Sequence, residues 1–160
     1  MKMNFQIKSL KQKINLHYFR FKRYFYFRLN LFGNTGKIKL MKNYGAKIGR
    51  EVNYLSEHVP DLAELQCLSI GDYVTISNDV RLVFHDGSIG PLINRNPIFC
   101  NKYTVSKQGN IKIGNNVFIG VSSVILSVDI GEYSIIGAGS IVTKCVPPFE
   151  VWGGGGCKIH

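Results

Sequence analysis

The chain has 160 residues, which makes one domain the default, and its 45% hydrophobic and 19% charged composition excludes a disordered protein. Its net charge of +10 is concentrated at one end: residues 1–47 hold twelve basic residues and no Asp or Glu, while residues 48–160 hold eight basic and ten acidic ones. A basic tail on a near-neutral body excludes the simple step from positive charge to nucleic-acid binding.

Residues 1–32 read as an amphipathic helix. Ile14, Tyr18, Phe21, Phe25, Leu29 and Phe32 recur at spacings of three and four, with Lys11, Lys13, Arg20, Lys22, Arg23 and Arg28 on much of the rest. Nine of the nineteen aromatic residues fall here. Rings at headgroup depth and cations on anionic lipid suit a membrane interface, and the competing reading packs the same face on the protein itself. Gly33-Asn34-Thr35-Gly36 reads as the break that ends this helix.

This N-terminal stretch holds no continuous apolar signal segment, and nothing approaches the ~20 apolar residues that span a bilayer. Cys67, Cys100, Cys145 and Cys157 are too widely spaced for a Cys-x-x-Cys site and too few for a disulfide scaffold. Reduced thiols in a cytoplasmic protein, peripheral on the inner face of the membrane, are the expectation.

After Lys47 a six-residue period sets in. Ile48 and Tyr54 open it; Ile70, Ile76 and Leu82 follow; then come Ile113, Ile119 and Ile125, and last Ile130, Ile136 and Val142. Small or β-branched residues stand four places on: Val52, Val74, Val80, Val117, Ser123, Ser134, Ser140 and Val146. A helix of 3.6 residues per turn cannot keep this period on one face, whereas three short strands per coil of a parallel β-helix can. The Gly that follows most of these aliphatics reads as the corner residue. The pattern divides the chain into a basic helical segment, residues 1–47, and a β-helix domain, residues 48–160. It lapses in an insertion at about 86–110, of the length that is usually functional, and shortens to five residues between Ile125 and Ile130, where the coil must tighten or bulge.

The runs Ile113-Gly-Asn-Asn-Val-Phe-Ile-Gly and Ile130-Gly-Glu-Tyr-Ser-Ile-Ile-Gly-Ala-Gly-Ser-Ile-Val-Thr-Lys, with Pro147-Pro148, resemble the hexapeptide-repeat acyltransferases. The likeness covers roughly residues 45–160. It is strongest to the maltose/galactoside O-acetyltransferases and the O-acetyltransferases of surface-polysaccharide synthesis. It implies an all-β fold, a left-handed parallel β-helix with a protruding loop, which is an exception to the right-handed crossover rule. It also implies a homotrimer that binds acetyl-CoA in clefts between subunits and acetylates a carbohydrate hydroxyl.

The resemblance assigns roles residue by residue. His85, where a coil ends and the insertion begins, takes the place of the catalytic general base, a role that a neutral imidazole suits near pH 7. Val121, just after Val117-Phe118-Ile119-Gly120, supplies the oxyanion-binding backbone N–H. Asp86 contacts the acceptor or orients His85. Phe118, Gly120, Ala138, Thr143, Lys144 and Lys158 fall at acetyl-CoA-binding positions. No metal is expected: His17, His58, His85 and His160 are not spaced as a Zn-binding cluster. The chain departs from its relatives at Gly153–Gly156, where a Pro is usual, and in ending at His160. A serine O-acetyltransferase-like enzyme and a non-catalytic trimeric scaffold stand as alternatives.

Overall fold

Stacked repeats require a chain that turns at fixed intervals and buries one residue per side. The computed structural model shows how this sequence does both, and it describes residues 33–86, 107–155 and 157–158. The chain divides into two compact units, Met1–Gly36 and Lys37–His160. The helix read over residues 1–32 lies outside the described residues. Helix α1, Gly33–Asn43, runs through the segment that reads as a breaker. Asn34, Thr35 and Gly36 are helical, and only Gly33 takes left-handed backbone, at φ 48. A helical Gly costs about 1 kcal/mol, less than burying a Met side chain returns, and Met41 of α1 is fully buried. Lys37 joins the helix to the first coil by pointing its ammonium at the carbonyls of Ser56 (3.1 Å), Leu55 (3.4 Å) and Tyr54 (3.5 Å).

The coils follow in order. The first has β1 (Lys47–Ile48) and β2 (Asn53–Tyr54); the second has β3 (Leu68–Ile70), β4 (Thr75–Ile76) and β5 (Arg81–Val83). A hairpin of β6 (His85–Asp86) and β7 (Lys107–Gln108) interrupts before the third coil, β8 (Ile111–Ile113), β9 (Phe118–Ile119) and β10 (Val124–Leu126). Then come β11 (Asp129–Ile130), β12 (Ile135–Ile136) and β13 (Ile141–Val142), and finally β14 (Val151–Gly153) and β15 (Cys157–Lys158).

Coil stacks on coil to give three sheets, parallel throughout except at β15: β1-β3-β8-β11, β2-β4-β9-β12-β14-β15 and β5-β10-β13. Register puts the periodic aliphatics in columns. Ile48, Ile70, Ile113, Ile130 and Val146 form the first, and Tyr54, Ile76, Ile119, Ile136 and Trp152 the second. Leu82, Ile125 and Val142 form the third. All but Trp152 are buried, and each buried aliphatic contributes roughly 1.5–3 kcal/mol. The small residues four places on are buried as well. Where they are serines, the hydroxyl donates to a carbonyl: Ser123 to Gly137 (3.0 Å), Ser134 to Pro147 (2.9 Å) and Ser140 to Gly137 (2.6 Å).

The corners differ from the expectation. The chain turns three residues after the aliphatic, at left-handed Glu51, Tyr73, Asp79, Asn116, Ser122, Tyr133, Gly139 and Phe149. Such backbone costs a non-glycine residue roughly 1–2 kcal/mol. The corner N–H recovers a bond to the neighbouring coil, from Tyr73 to Arg50 O (2.9 Å), Asn116 to Asp72 O (2.9 Å) and Tyr133 to Asn115 O (2.9 Å). The Gly that follows the aliphatic is needed for room instead. A Cβ on Gly120 would stand 2.5 Å from Ala138 N, and one on Gly114 2.6 Å from Glu132 N. The five-residue step is absorbed by Ser127 at φ 40, whose N–H and hydroxyl both donate to Val83 O, at 2.9 and 3.0 Å.

Candidate functional site

Of the residues expected to act, His85 has the most structured surroundings. Phe84 before it is fully buried and accepts the Gly109 N–H at 2.7 Å, which closes the base of the insertion. His85 then pairs with Gln108 and Asp86 with Lys107 in the antiparallel β6-β7 hairpin. The residues between, 87–106, lie outside the described set, as does the side chain of Asp86.

The His85 ring is about half exposed, 55%, and its Nδ1 lies 2.6 Å from Glu64 Oε1. Glu64 is only 13% exposed, and its other oxygen accepts the Asp61 N–H at 3.0 Å. Sequence reading missed Glu64. It belongs to residues 55–67, where the first coil leaves the six-residue pattern between Tyr54 and Leu68, and that lapse was the available signal. Here a packed loop stands where a third strand would be. Val59 and Leu65 are buried, the Ser56 hydroxyl donates to Val80 O at 2.8 Å, and the Tyr54 hydroxyl donates to His58 O at 2.7 Å. Burial raises the Tyr54 phenol well above its ordinary pKa, so it stays a donor. His58 itself is exposed, 3.7 Å from Asp79.

The other candidates fall in two places. Phe118 points outward from β9 in register with Ile135 and Val151, and all three are exposed. Gly120, Val121 and Ala138 form the corner that leads from this sheet to β10 and β13. There Gly139 donates to Val121 O at 2.8 Å, Val121 is 42% exposed, and the Val121 N–H has no acceptor among the described residues. Thr143 and Lys144 are exposed and follow β13, at the far end of the β5-β10-β13 sheet, which is the corner His85 occupies two coils earlier. One chain therefore holds its expected site residues in two groups, separated by the width of that sheet, on the order of 15 Å. Lys158 pairs its backbone with Trp152 in β15; its side chain lies outside the described set. Gly154, at φ 61, makes the turn between β14 and β15, so the glycine run forms a hairpin. Among the described residues no three His, Cys, Asp or Glu could hold a metal ion, and no helix is long and apolar enough to cross a membrane.

Residues 110–144 match the family model described as a hexapeptide repeat of succinyl-transferase. The chain is 34% identical over 124 residues to galactoside O-acetyltransferase of Escherichia coli (strain K12), covering 73% of this chain and 55% of that protein. It is 37% identical over 128 residues to Protein CapG of Staphylococcus aureus, covering 78% and 70%. A solved galactoside acetyltransferase in complex with coenzyme A superposes with a TM-score of 0.52 at 25% identity, covering 79% of each chain. The chain thus spans about half the length of the first of these relatives, 55%.

Proposed function

Since the chain belongs to the hexapeptide-repeat acetyltransferase family, we propose that it transfers acetyl from acetyl-CoA to a hydroxyl of a carbohydrate, with His85 as general base. The single observation that carries this reading is a half-exposed imidazole at the mouth of the insertion whose Nδ1 is already engaged by Glu64 at 2.6 Å. That leaves Nε2 to take the acceptor's proton.

In the proposed reaction the acceptor oxygen attacks the thioester carbon as Nε2 removes its proton. The carbonyl oxygen becomes an oxyanion, and the N–H of Val121, an exposed residue, is the donor for it. The C–S bond then breaks, the imidazolium returns its proton to sulfur, and an O-acetyl ester and CoA thiol leave. Asp86 would hydrogen-bond the acceptor. Apolar Phe118 and the Gly120–Ala138 corner suit the pantetheine arm, and Thr143, Lys144 and Lys158 suit the phosphates. The names of the galactoside relatives support a sugar acceptor.

Two corners of one chain a sheet's width apart support a site shared between copies. In a homotrimer of left-handed coils, the His85 corner of one chain faces the Val121 corner of the next. Residues 1–32 would hold that assembly on an anionic membrane surface, near a lipid-linked acceptor. Thiol release from acetyl-CoA over a panel of galactosides and other sugars tests the reading. Release that depends on acceptor and falls about 10²–10⁴-fold in His85→Ala is expected; no release with any sugar, or full release in the variant, overturns it.

A further inference from the structure

In the catalytic reading Glu64 figures only as a neighbour of His85 Nδ1, yet the molecule spends several interactions on placing it. It stands 21 residues before His85, in the segment that replaces the third strand of the first coil. Its backbone closes a tight turn at both sides, donating to Asp61 O and accepting from Cys67 N–H, each at 2.8 Å. The next residue, Leu65, is fully buried and fixes the turn to the core. Both carboxylate oxygens are engaged, Oε2 by the Asp61 N–H at 3.0 Å and Oε1 by His85 Nδ1 at 2.6 Å. The carboxylate is 13% exposed, so water competes little for it, while the ring it holds is 55% exposed.

We infer that Glu64 is a positioning residue that fixes the His85 ring and its tautomer. A carboxylate only accepts, so the ring proton sits on Nδ1 and the lone pair on Nε2. Free imidazole side chains favour the opposite tautomer in water, with the proton on Nε2 and no base there to offer. Loop 55–67 therefore sets which nitrogen faces the acceptor. The inference rests on the proposed role of His85 for its consequence, and on the contact alone for the tautomer.

The test has two arms. In the full-length wild-type protein, long-range proton–nitrogen NMR of labelled histidine at about pH 8, where an ordinary imidazole is neutral, reads the His85 tautomer directly. Nδ1–H in wild type, shifting toward Nε2–H in Glu64→Gln, is expected; an Nε2–H ring in wild type, or the same tautomer in both, overturns the inference. Gln keeps the shape of Glu, but its amide cannot accept from both Asp61 N–H and the ring. In the second arm kcat of Glu64→Gln should fall on the order of 10–100-fold with KM for acetyl-CoA unchanged, and an unchanged kcat overturns the inference. If His85→Ala kept full turnover, the proposed base would fail, while the NMR arm would still decide what Glu64 does.

Discussion

The carboxylate of Asp72 receives one neighbour twice: it accepts the backbone N–H of Arg50 at 2.7 Å and the Arg50 guanidinium at 2.9 Å. Those backbone and side-chain hydrogen bonds hold the Asp72 carboxyl below the usual carboxylate range. Asp72 also donates its own N–H to Asn115 Oδ1 at 2.9 Å, so one corner ladder joins three coils. A carboxyl whose folded pKa is depressed contributes stability above its unfolded pKa of about 3.9 and loses it as pH falls through the folded value. Urea midpoints should therefore separate wild type from Asp72→Asn near pH 7, with the variant lower, and converge below about pH 4. A constant gap across that range would mean that charge is not what the ladder uses.

Glycine after the aliphatic should matter for room and not for turning. Gly120→Ala places a Cβ 2.5 Å from Ala138 N and should destabilise by about 1–3 kcal/mol. Gly155→Ala meets nothing within 4 Å and should stay within about 0.5 kcal/mol of wild type. Thermal unfolding of both variants checks the contrast.

If the two groups of site residues meet only between copies, complementation has a definite pattern. Inactive His85→Ala mixed with inactive Ala138→Arg should regain activity, roughly a quarter of the clefts being intact after random trimer exchange. Inactive His85→Ala mixed with a Lys144→Ala variant should regain none, because both changes sit on the same corner. Rescue by the second pair, or activity in a sedimenting monomer, would contradict the shared cleft.

Residues 1–32 carry eight cations, each contributing on the order of 1 kcal/mol near an anionic surface before salt screening. Full-length protein should pellet with acidic vesicles, release with salt, and ignore neutral vesicles; protein lacking residues 1–32 should stay in solution. Aggregation of the truncated protein would favour instead a segment that packs on the fold.

The columns were readable because a six-residue period with a small residue four places on leaves little freedom: Ile70, Ile113 and Ile130 stack as their spacing requires. The corners were not. Tyr73, Tyr133 and Phe149 are poor choices for left-handed backbone by local preference, and they adopt it because the neighbouring coil offers an acceptor that a single sequence does not reveal. For the candidate site, the resemblance and a place at a coil's end singled out His85. Glu64 was not, because its partner lies 21 residues on and no local pattern links them.

A stack in which every layer templates the next is, in principle, a filament. Its last parallel rung in the longest sheet, β14, is covered by β15 running the other way, with Trp152 opposite Lys158 and Gly153 opposite Cys157. Antiparallel bonding spaces donors and acceptors in alternating pairs, out of step with the even spacing a parallel newcomer would need. The reversed strand thus leaves the growing end of that sheet a poor seed, and the glycine turn that permits the reversal doubles as a guard against fibre growth.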